Sequence, residues 1–333
     1  MSTIIIVLLI FGLLVIVHEF GHFSVAKLIG VKVEEFAVGM GPKIAGFQKG
    51  ETLYTLRVLP LGGFCSMLGE DQESDDKRSL NNKSKLGRAA VFAAGSIMNI
   101  ILAIVLLSIT LYFIGTPTTT IAKVEKGYPA YQAGIRSGDK IISMNDKKIE
   151  NYDEIQKMIT NSKNESLKIT IQRKDQIKNT AISPKYDEKL NRYRIGISPS
   201  YQRSIIGAVI SSFEQSIFLT KSILKILGQL LAGKGNLDSL TGPVGVIAIV
   251  NETAKVGILP VVLLAAQISL NLGIFNLLPI PALDGSRLMF LMIEVLRGKP
   301  LPPEKEGVFH FMGLMVLMVF AIFVAYRDVI RFF

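Results

Sequence analysis

The chain contains 333 residues, of which 49% are hydrophobic, and its single cysteine, Cys65, excludes an internal disulfide. The mean hydropathy of +0.41 excludes an ordinary soluble protein, because soluble domains rarely have a positive mean over such a length. The net charge is +10, but the basic residues lie mostly beside apolar runs. They therefore indicate membrane topology and contacts with anionic lipid headgroups, and no nucleic-acid partner is expected.

Four apolar runs are long enough to cross a bilayer, which takes about 20 helical residues. In chain order they are residues 4–26, 89–114, 256–283 and 308–326. The first run lacks the basic start and small-residue cleavage site of a signal peptide, so it is predicted to remain as a span. Pro260, Pro279 and Pro281 interrupt the third run. The pattern predicts an α-helical polytopic membrane protein with about four transmembrane helices.

Basic residues are distributed unequally between the two sides of these spans. Ten lie between the first and second runs and four lie in residues 285–306, whereas only Arg327 and Arg331 follow the last run. The positive-inside rule therefore predicts a multi-pass protein of the cytoplasmic (inner) membrane with both of these connections in the cytosol. Both termini and residues 115–200 are then extracytoplasmic.

Residues 51–68 are rich in β-branched and aromatic residues and contain Pro60, Gly62 and Gly63. This composition predicts a β-hairpin. Non-helical backbone at membrane depth needs internal partners or a water-filled cavity, so the hairpin is expected to pack beside the polar residues that end the first apolar run. A strand edge at Thr55 and Leu56 is expected to accept a further extended segment by β-addition.

Residues 115–200 have the pattern of a small water-soluble α+β domain. Apolar and polar residues alternate in 166–171 and 192–197, which predicts strands, and residues 153–160 predict a short helix. The predicted organisation is therefore residues 1–114 with the first two spans, 115–200 as an inserted outer domain, and 201–333 with the last two spans.

Residues 205–232 carry apolar side chains near helical spacing, with Glu214, Lys221 and Lys225 between them. Because charges within a span are costly, an interfacial amphipathic helix is favoured. A fifth span is the alternative.

His18-Glu19-Phe20-Gly21-His22 ends the first apolar run and carries two of the three histidines of the chain. Residues four apart lie on one helix face, about 6 Å apart along the axis, so both imidazoles can reach one zinc ion. Glu19, beside the first ligand, can then act as general base. The alternative is a set of polar residues at a helix end that face lipid headgroups, but a buried Glu and two His without a partner are expensive.

A catalytic zinc site usually takes a third protein ligand. His310 is one candidate, although a lone histidine at a membrane boundary is more often interfacial. Asp284 is the stronger candidate, because it is the only acid between Lys255 and Glu294 and follows two prolines on the same predicted side as His18. The residues alone leave a ligand and a helix-capping Asp as equal alternatives.

Two motifs together resemble the site-2 protease family of intramembrane zinc metalloproteases, and most closely the bacterial regulator-of-sigma-E proteases. They are His18-Glu19-Phe20-Gly21-His22 and Asn276-x-x-Pro279-x-Pro281-x-Leu283-Asp284-Gly285. Four further segments each resemble a feature of the family. Residues 36–42 resemble its glycine-rich hairpin, and residues 59–64 resemble its membrane-re-entrant sheet. Ala94–Asn99 resembles the start of its second span, and Leu240–Gly245 resembles the stretch before its third. The resemblance implies zinc bound by His18, His22 and Asp284, with Glu19 as catalytic base and Asn276 holding substrate backbone.

The segment from Gly127 to Asn145, which contains Gly134-Ile135-Arg136-Ser137-Gly138-Asp139, resembles the PDZ domains of bacterial proteases. Such a domain binds or excludes peptide segments. The implied substrates are transmembrane proteins or leftover signal peptides in regulated intramembrane proteolysis. The rival functions are a membrane-anchored PDZ scaffold with an inactive metal site and a zinc transporter. The presence of Glu19 disfavours the scaffold, which has no use for a catalytic base.

Overall fold

The structure is a computed structural model that describes residues 3–70, 74–188, 190–234, 241–299 and 301–332. The helices are α1 (Thr3–Leu28), α2 (Lys85–Ile114), α3 (Pro129–Gln132), α4 (Tyr152–Asn161), α5 (Ile205–Leu231), α6 (Pro243–Val256), α7 (Ile258–Asn276), α8 (Asp284–Arg297) and α9 (Pro303–Phe332). The strands are β1 (Val33–Lys49), β2 (Thr52–Met67), β3 (Thr116–Val124), β4 (Lys140–Met144), β5 (Lys147–Lys148), β6 (Leu167–Arg173), β7 (Gln176–Ile182), β8 (Lys185–Asp187), β9 (Arg192–Arg194) and β10 (Ile197–Gln202).

The chain divides into two compact units. The first contains Met1–Thr110 and Ser212–Phe333, and the second contains Leu111–Ser211. The range predicted for the outer domain, 115–200, falls inside the second unit. Leu240, the first residue of one of the family-like segments, lies outside the described residues.

Among the described residues, four helices are long and apolar enough to cross a membrane, namely α1, α2, α7 and Glu304–Arg331 within α9. The predicted polytopic helical fold is therefore confirmed. The third predicted run is shorter than expected, because the helix ends at Asn276 and residues 277–283 are non-helical. Pro260 does not interrupt α7: it lies in the first turn, where a backbone N–H has no helical partner to lose.

β1 and β2 form a more elaborate sheet than the predicted hairpin. Residues 33–38 of β1 pair with the end of β2 on one side and with its beginning on the other. Thr55 accordingly pairs with both Ala37 and Gly46. The predicted free edge at Thr55 and Leu56 is therefore wrong, because this segment is paired on both sides. Gly39 lies at a point where the chain folds back, with φ of +89°, and a Cβ there would be only 2.6 Å from the carbonyl oxygen of Leu59.

Two glycine contacts hold α2 between α1 and α7. A Cβ on Gly21 of α1 would lie 2.5 Å from the carbonyl oxygen of Ala94, and a Cβ on Gly273 of α7 would lie 2.8 Å from that of Ser96. Small residues permit such close approach of helix backbones, which replaces the hydrophobic effect as a source of stability within lipid. The end of α1 and the start of α2 also share a buried apolar cluster with β1, β2 and α8, formed by Ala26, Val31, Val33, Cys65, Met67, Leu80, Val91, Phe92 and Leu291.

The amphipathic helix predicted over residues 205–232 forms as α5 and is not among the helices apolar enough to span. Its three charged residues are exposed. Its opposite face packs on spanning helices: Ser212 and Ser108 share a hydrogen bond of 2.8 Å, and Leu219 and Ile223 pack against an apolar cluster of α2 and α7. An interfacial location stays a prediction.

The second unit contains an antiparallel sheet with strand order β10-β3-β4-β6-β7, to which β5 is added beside β4. Its core includes Ile121, Ile141, Met144, Ile155, Ile159, Ile169 and Ile195. The predicted helix is α4, which begins after Asn151 because that side chain accepts a hydrogen bond from the Glu154 N–H. The strand predicted over residues 192–197 is instead divided into β9 and β10, with Gly196 at φ of +80° between them. The prediction of a small α+β fold is confirmed.

Candidate metal centre

The two histidines of α1 converge as their spacing predicts. His18 and His22 are both buried, and their Nε2 atoms lie 3.3 Å apart. The rings meet edge to face, with their centroids 4.9 Å apart. One turn of helix therefore presents two nitrogen atoms to a common point.

Asp284 joins the two histidines. Its Oδ2 atom lies 3.1 Å from His18 Nε2 and 3.3 Å from His22 Nε2. The capping alternative does not describe the structure, because Leu283 is the N-cap residue of α8 and no side chain makes a cap hydrogen bond there. Asp284 instead opens the helix and directs its carboxylate at the imidazoles.

The three ligand atoms fit a zinc ion. Zinc bonds of about 2.0–2.1 Å in a tetrahedron place neighbouring ligand atoms about 3.3–3.4 Å apart, and the three separations here are 3.1, 3.3 and 3.3 Å. Asp284 Oδ2 is buried and makes no hydrogen bond in spite of these short distances. Asp284 Oδ2 is thus a buried oxygen aimed at both nitrogens without a hydrogen bond to either, and two nitrogens with a carboxylate oxygen are a donor set that zinc prefers.

α2 forms the wall behind the histidine rings. A Cβ on Gly95 would lie 2.3 Å from His22 Nε2 and 2.8 Å from His18 Cε1, so only glycine leaves room for both rings. One turn earlier, the carbonyl oxygen of Val91 lies 2.8 Å from His22 Nδ1. A carbonyl can only accept, so His22 Nδ1 carries the proton and Nε2 keeps its lone pair for a metal.

The irregular segment 277–283 brings Asp284 to the site. Ala282 has φ of +71°, a left-handed conformation that non-glycine residues seldom adopt. Its N–H donates to His310 Nδ1 at 3.2 Å. Pro281 fits against Gly313 of α9, where a Cβ would lie 1.9 Å from the proline ring. His310, a candidate ligand in the sequence, therefore contacts the segment before the aspartate, and the ligand cluster among the described residues does not include it.

A cavity of about 200 Å³ opens beside the three ligand atoms. It is lined by His18, Glu19, His22, Phe64, Cys65, Met67, Glu70, Phe92, Ala282, Leu283, Asp284, Arg287 and His310. Glu19 lines this cavity beside the ligand cluster without belonging to it. Its side chain packs against β2, since a Cβ on Gly63 would be 3.2 Å from Glu19 Cγ.

Asn276, the last residue of α7, also reaches the site. Its amide nitrogen lies 3.5 Å from His18 Nε2. The structure thus brings together all five residues selected from the sequence, namely His18, Glu19, His22, Asn276 and Asp284.

Two features of the site were not assigned from the sequence. Glu70 and Arg287 form an ion pair at the cavity wall, and the Arg287 guanidinium also lies 5.8 Å from the ring centre of Phe92. Asn99 of α2 lies beside His18, with its amide nitrogen 3.2 Å from Nδ1. Asn99 belongs to a segment that resembles the family, Ala94–Asn99. The sequence of an apolar helix does not show which neighbouring side chain a polar residue contacts, so the contact with His18 was not predicted.

The family model described as peptidase family M50 matches residues 6–320. The chain belongs to this family. A Clostridium acetobutylicum protein, named as a candidate zinc metalloprotease, is 37% identical over 330 residues, which cover 98% of this chain and 97% of that protein. The zinc metalloprotease RasP of Oceanobacillus iheyensis is 30% identical over 423 aligned residues, with full coverage of both chains. The predictions of an M50 (site-2 protease) member and of a zinc metalloendopeptidase are confirmed.

Among solved structures, the PDZ domain of an SdrC-like protein from Listeria monocytogenes is similar to part of the chain. It is 21% identical, covers 25% of this chain and 87% of that domain, and superposes with a TM-score of 0.23. A PDZ domain of the SdrC-like protein of Listeria innocua is 18% identical, covers 27% of this chain and 99% of that one, and gives the same TM-score of 0.23.

Proposed function

We propose that this M50 peptidase hydrolyses peptide bonds within or near the transmembrane segments of membrane proteins, with zinc held by His18, His22 and Asp284. The observation that carries the proposal is the triangle of three ligand atoms 3.1–3.3 Å apart. Zinc held there supplies a Lewis acid for the scissile carbonyl and makes water a stronger nucleophile at neutral pH. Among the described residues this is the only such cluster, which disfavours a transporter that needs several sites along a path.

Glu19 is the proposed general base. Its carboxylate accepts a proton from the attacking water as the new C–O bond forms, and it then delivers that proton to the amine nitrogen as the C–N bond breaks. The helix makes this possible, because Glu19 follows His18 directly and lines the same cavity. Asn276 is the proposed contact to the substrate backbone, since its amide also reaches the ligand cluster.

Residues 62–67 of β2 are the proposed receiving strand for substrate. A transmembrane helix has every backbone group paired, so it must unwind before a peptide bond can be attacked. Phe64, Cys65 and Met67 line the cavity beside Glu19, and this segment pairs with β1 on one side. A substrate with a photoreactive residue next to its scissile bond should crosslink to residues 62–67. Crosslinks confined to other segments would contradict this assignment.

The catalytic proposal is tested with Glu19→Gln in the purified protein. Zinc content should remain at the wild-type value, because Glu19 is outside the ligand cluster. Cleavage of a model membrane segment should fall by about 10²–10⁴-fold, the usual contribution of a general base. Survival of cleavage at the wild-type rate would overturn the assigned mechanism, and loss of zinc would show that Glu19 acts in binding the metal.

The distribution of basic residues supports an active site toward the cytosol, with both termini and the PDZ-like domain outside. We further propose that this domain excludes substrates with bulky outer domains, so that cleavage follows an earlier trimming step. Anti-sigma factors and leftover signal peptides are substrates of the proposed kind. Deletion of residues 115–200 should then permit cleavage of untrimmed substrate. If the deletion variant stays selective for trimmed substrate, the selection occurs elsewhere.

A further inference from the structure

Asn99 is a fully buried polar residue in the middle of a spanning helix. Its side-chain nitrogen lies 3.2 Å from His18 Nδ1, and its side-chain oxygen is buried without a hydrogen-bond partner. Its backbone carbonyl accepts a hydrogen bond of 2.8 Å from the Ser269 hydroxyl. The residue is therefore fixed between α1 and α7, and its carboxamide faces the ring of a proposed zinc ligand.

The orientation of the carboxamide decides what this contact does. With the amide nitrogen toward His18, Nδ1 would have to carry a lone pair and Nε2 a proton, which would direct an N–H at the site where zinc is held. The two ends of an Asn side chain have nearly the same shape and are assigned from their hydrogen-bond partners. With the ends exchanged, Oδ1 accepts the Nδ1–H of His18, and Nε2 keeps the lone pair that binds a metal.

We infer that Asn99 is a positioning residue that accepts the Nδ1 proton of His18 and so directs the Nε2 lone pair of that histidine at zinc. This inference rests on the proposed zinc site. His18 would then donate its Nδ1–H to the Asn99 side-chain oxygen, just as His22 donates its Nδ1–H to the Val91 carbonyl. Hydrogen bonds of this kind fix the tautomer and ring orientation of metal-binding histidines.

A single face of α2 then serves both histidines. Val91, Gly95 and Asn99 are four residues apart in turn, so they form one stripe along the helix. The first accepts the proton of His22, the second leaves room for the rings, and the third accepts the proton of His18. The result is two nitrogen lone pairs and a carboxylate oxygen at mutual distances of 3.1–3.3 Å with no proton between them. Two nitrogen lone pairs and a carboxylate oxygen are a donor set that zinc prefers.

The first test is zinc affinity, measured on the purified full chain by competition with a chelator. Asn99→Leu keeps the size of the side chain but removes the acceptor, and zinc affinity should fall by about 10–100-fold. Asn99→Asp keeps an acceptor, so its affinity should stay near the wild-type value. Ser96→Ala is the matched control, because Ser96 is equally buried on α2 and its hydroxyl has no hydrogen-bond partner. Equal affinity of Asn99→Leu and the wild type would overturn the inference, as would equally weak binding by Asn99→Asp and Asn99→Leu.

The second test reads the tautomer of His18 directly in the wild-type protein. The chain has three histidines, so a ¹⁵N-histidine NMR spectrum of the metal-free wild type contains three imidazoles, and His18→Ala identifies the one of interest. His18 should carry its proton on Nδ1, and Asn99→Leu should shift the proton toward Nε2. A wild-type His18 protonated on Nε2 would overturn the inference. Failure of the wild type to bind zinc would instead overturn the proposed function.

Discussion

The two sides of the proposed metal site are built in different ways. His18 and His22 stand on one face of a regular helix, and α2 packs against them with Gly95 and the Val91 carbonyl. Asp284, in contrast, follows a non-helical segment that contains two prolines and a left-handed alanine. Helix geometry alone sets the spacing of the histidines, whereas the aspartate depends on contacts with α9.

This difference predicts different sensitivity to mutation. The histidine side has little freedom to adjust, because both rings and the backbone of α2 are in close contact. The aspartate side has several independent supports, namely Pro281 against Gly313, Ala282 with His310, and the tight packing of Gly285 against Leu278. Loss of one support should therefore weaken zinc binding on that side rather than abolish it.

The largest effect is expected for Gly95→Ala. The new Cβ would lie 2.3 Å from His22 Nε2, inside the space that a zinc ligand must occupy. Zinc affinity should fall by more than about a hundredfold, since overpacking costs about 1–3 kcal/mol and here also displaces two ligands. Gly12→Ala in α1, where a Cβ meets nothing within 4 Å, is the control and should bind zinc normally. Normal zinc binding by Gly95→Ala would refute the proposed rigidity of the histidine side.

A smaller effect is expected for Gly313→Ala. Its Cβ would overlap Pro281 and push the segment that carries Asp284 away from the histidines. Overpacking of about 1–3 kcal/mol corresponds to a loss of zinc affinity of about fivefold to a hundredfold. Gly307→Ala on the same helix meets nothing within 4 Å and should leave zinc affinity unchanged. Competition with a chelator measures the zinc affinity of both variants. Equal affinities would show that α9 does not position Asp284.

The smallest effects are expected at His310 and Ala282. His310→Ala removes the acceptor of the Ala282 N–H, and a single hydrogen bond of about 0.5–1.5 kcal/mol corresponds to a loss of about two- to tenfold in zinc affinity. Ala282→Gly should stay within about twofold of the wild type, because glycine adopts the left-handed conformation without strain. Complete loss of zinc in His310→Ala would instead indicate that His310 is itself a ligand.

The spanning helices and the pair of histidines on α1 could be predicted from the sequence for physical reasons. Hydropathy locates spans because backbone groups in lipid must be paired within the helix, and the spacing of His18 and His22 has one geometric meaning in a helix. Asp284 needed more than the residues alone, since a ligand and a helix cap look the same in sequence. The resemblance to a family selected the ligand, and the structure places its carboxylate against both imidazoles.

The rest of the fold and of the candidate site depends on tertiary contacts that a sequence pattern does not encode. Thr55 was expected at a sheet edge, but the chain folds back so that this residue has partners on both sides. Pro260 was expected to interrupt a helix but lies within a first turn, where proline is tolerated. The role inferred for Asn99 depends on which ring its carboxamide faces, and no periodicity carries that information.

The close packing of α2 also restricts the route by which a substrate arrives. At Gly21 and at Gly273, the neighbouring backbones approach so closely that not even a methyl group fits. A helix with side chains is about 10–12 Å wide, so it cannot pass between α1 and α2 or between α2 and α7. The two helix–helix contacts at Gly21 and Gly273 therefore exclude entry of a substrate helix between these helices. We therefore expect substrate to reach the proposed catalytic cavity from the side of residues 62–67 of β2 and the turn before Asp284, where the lining is strand and loop.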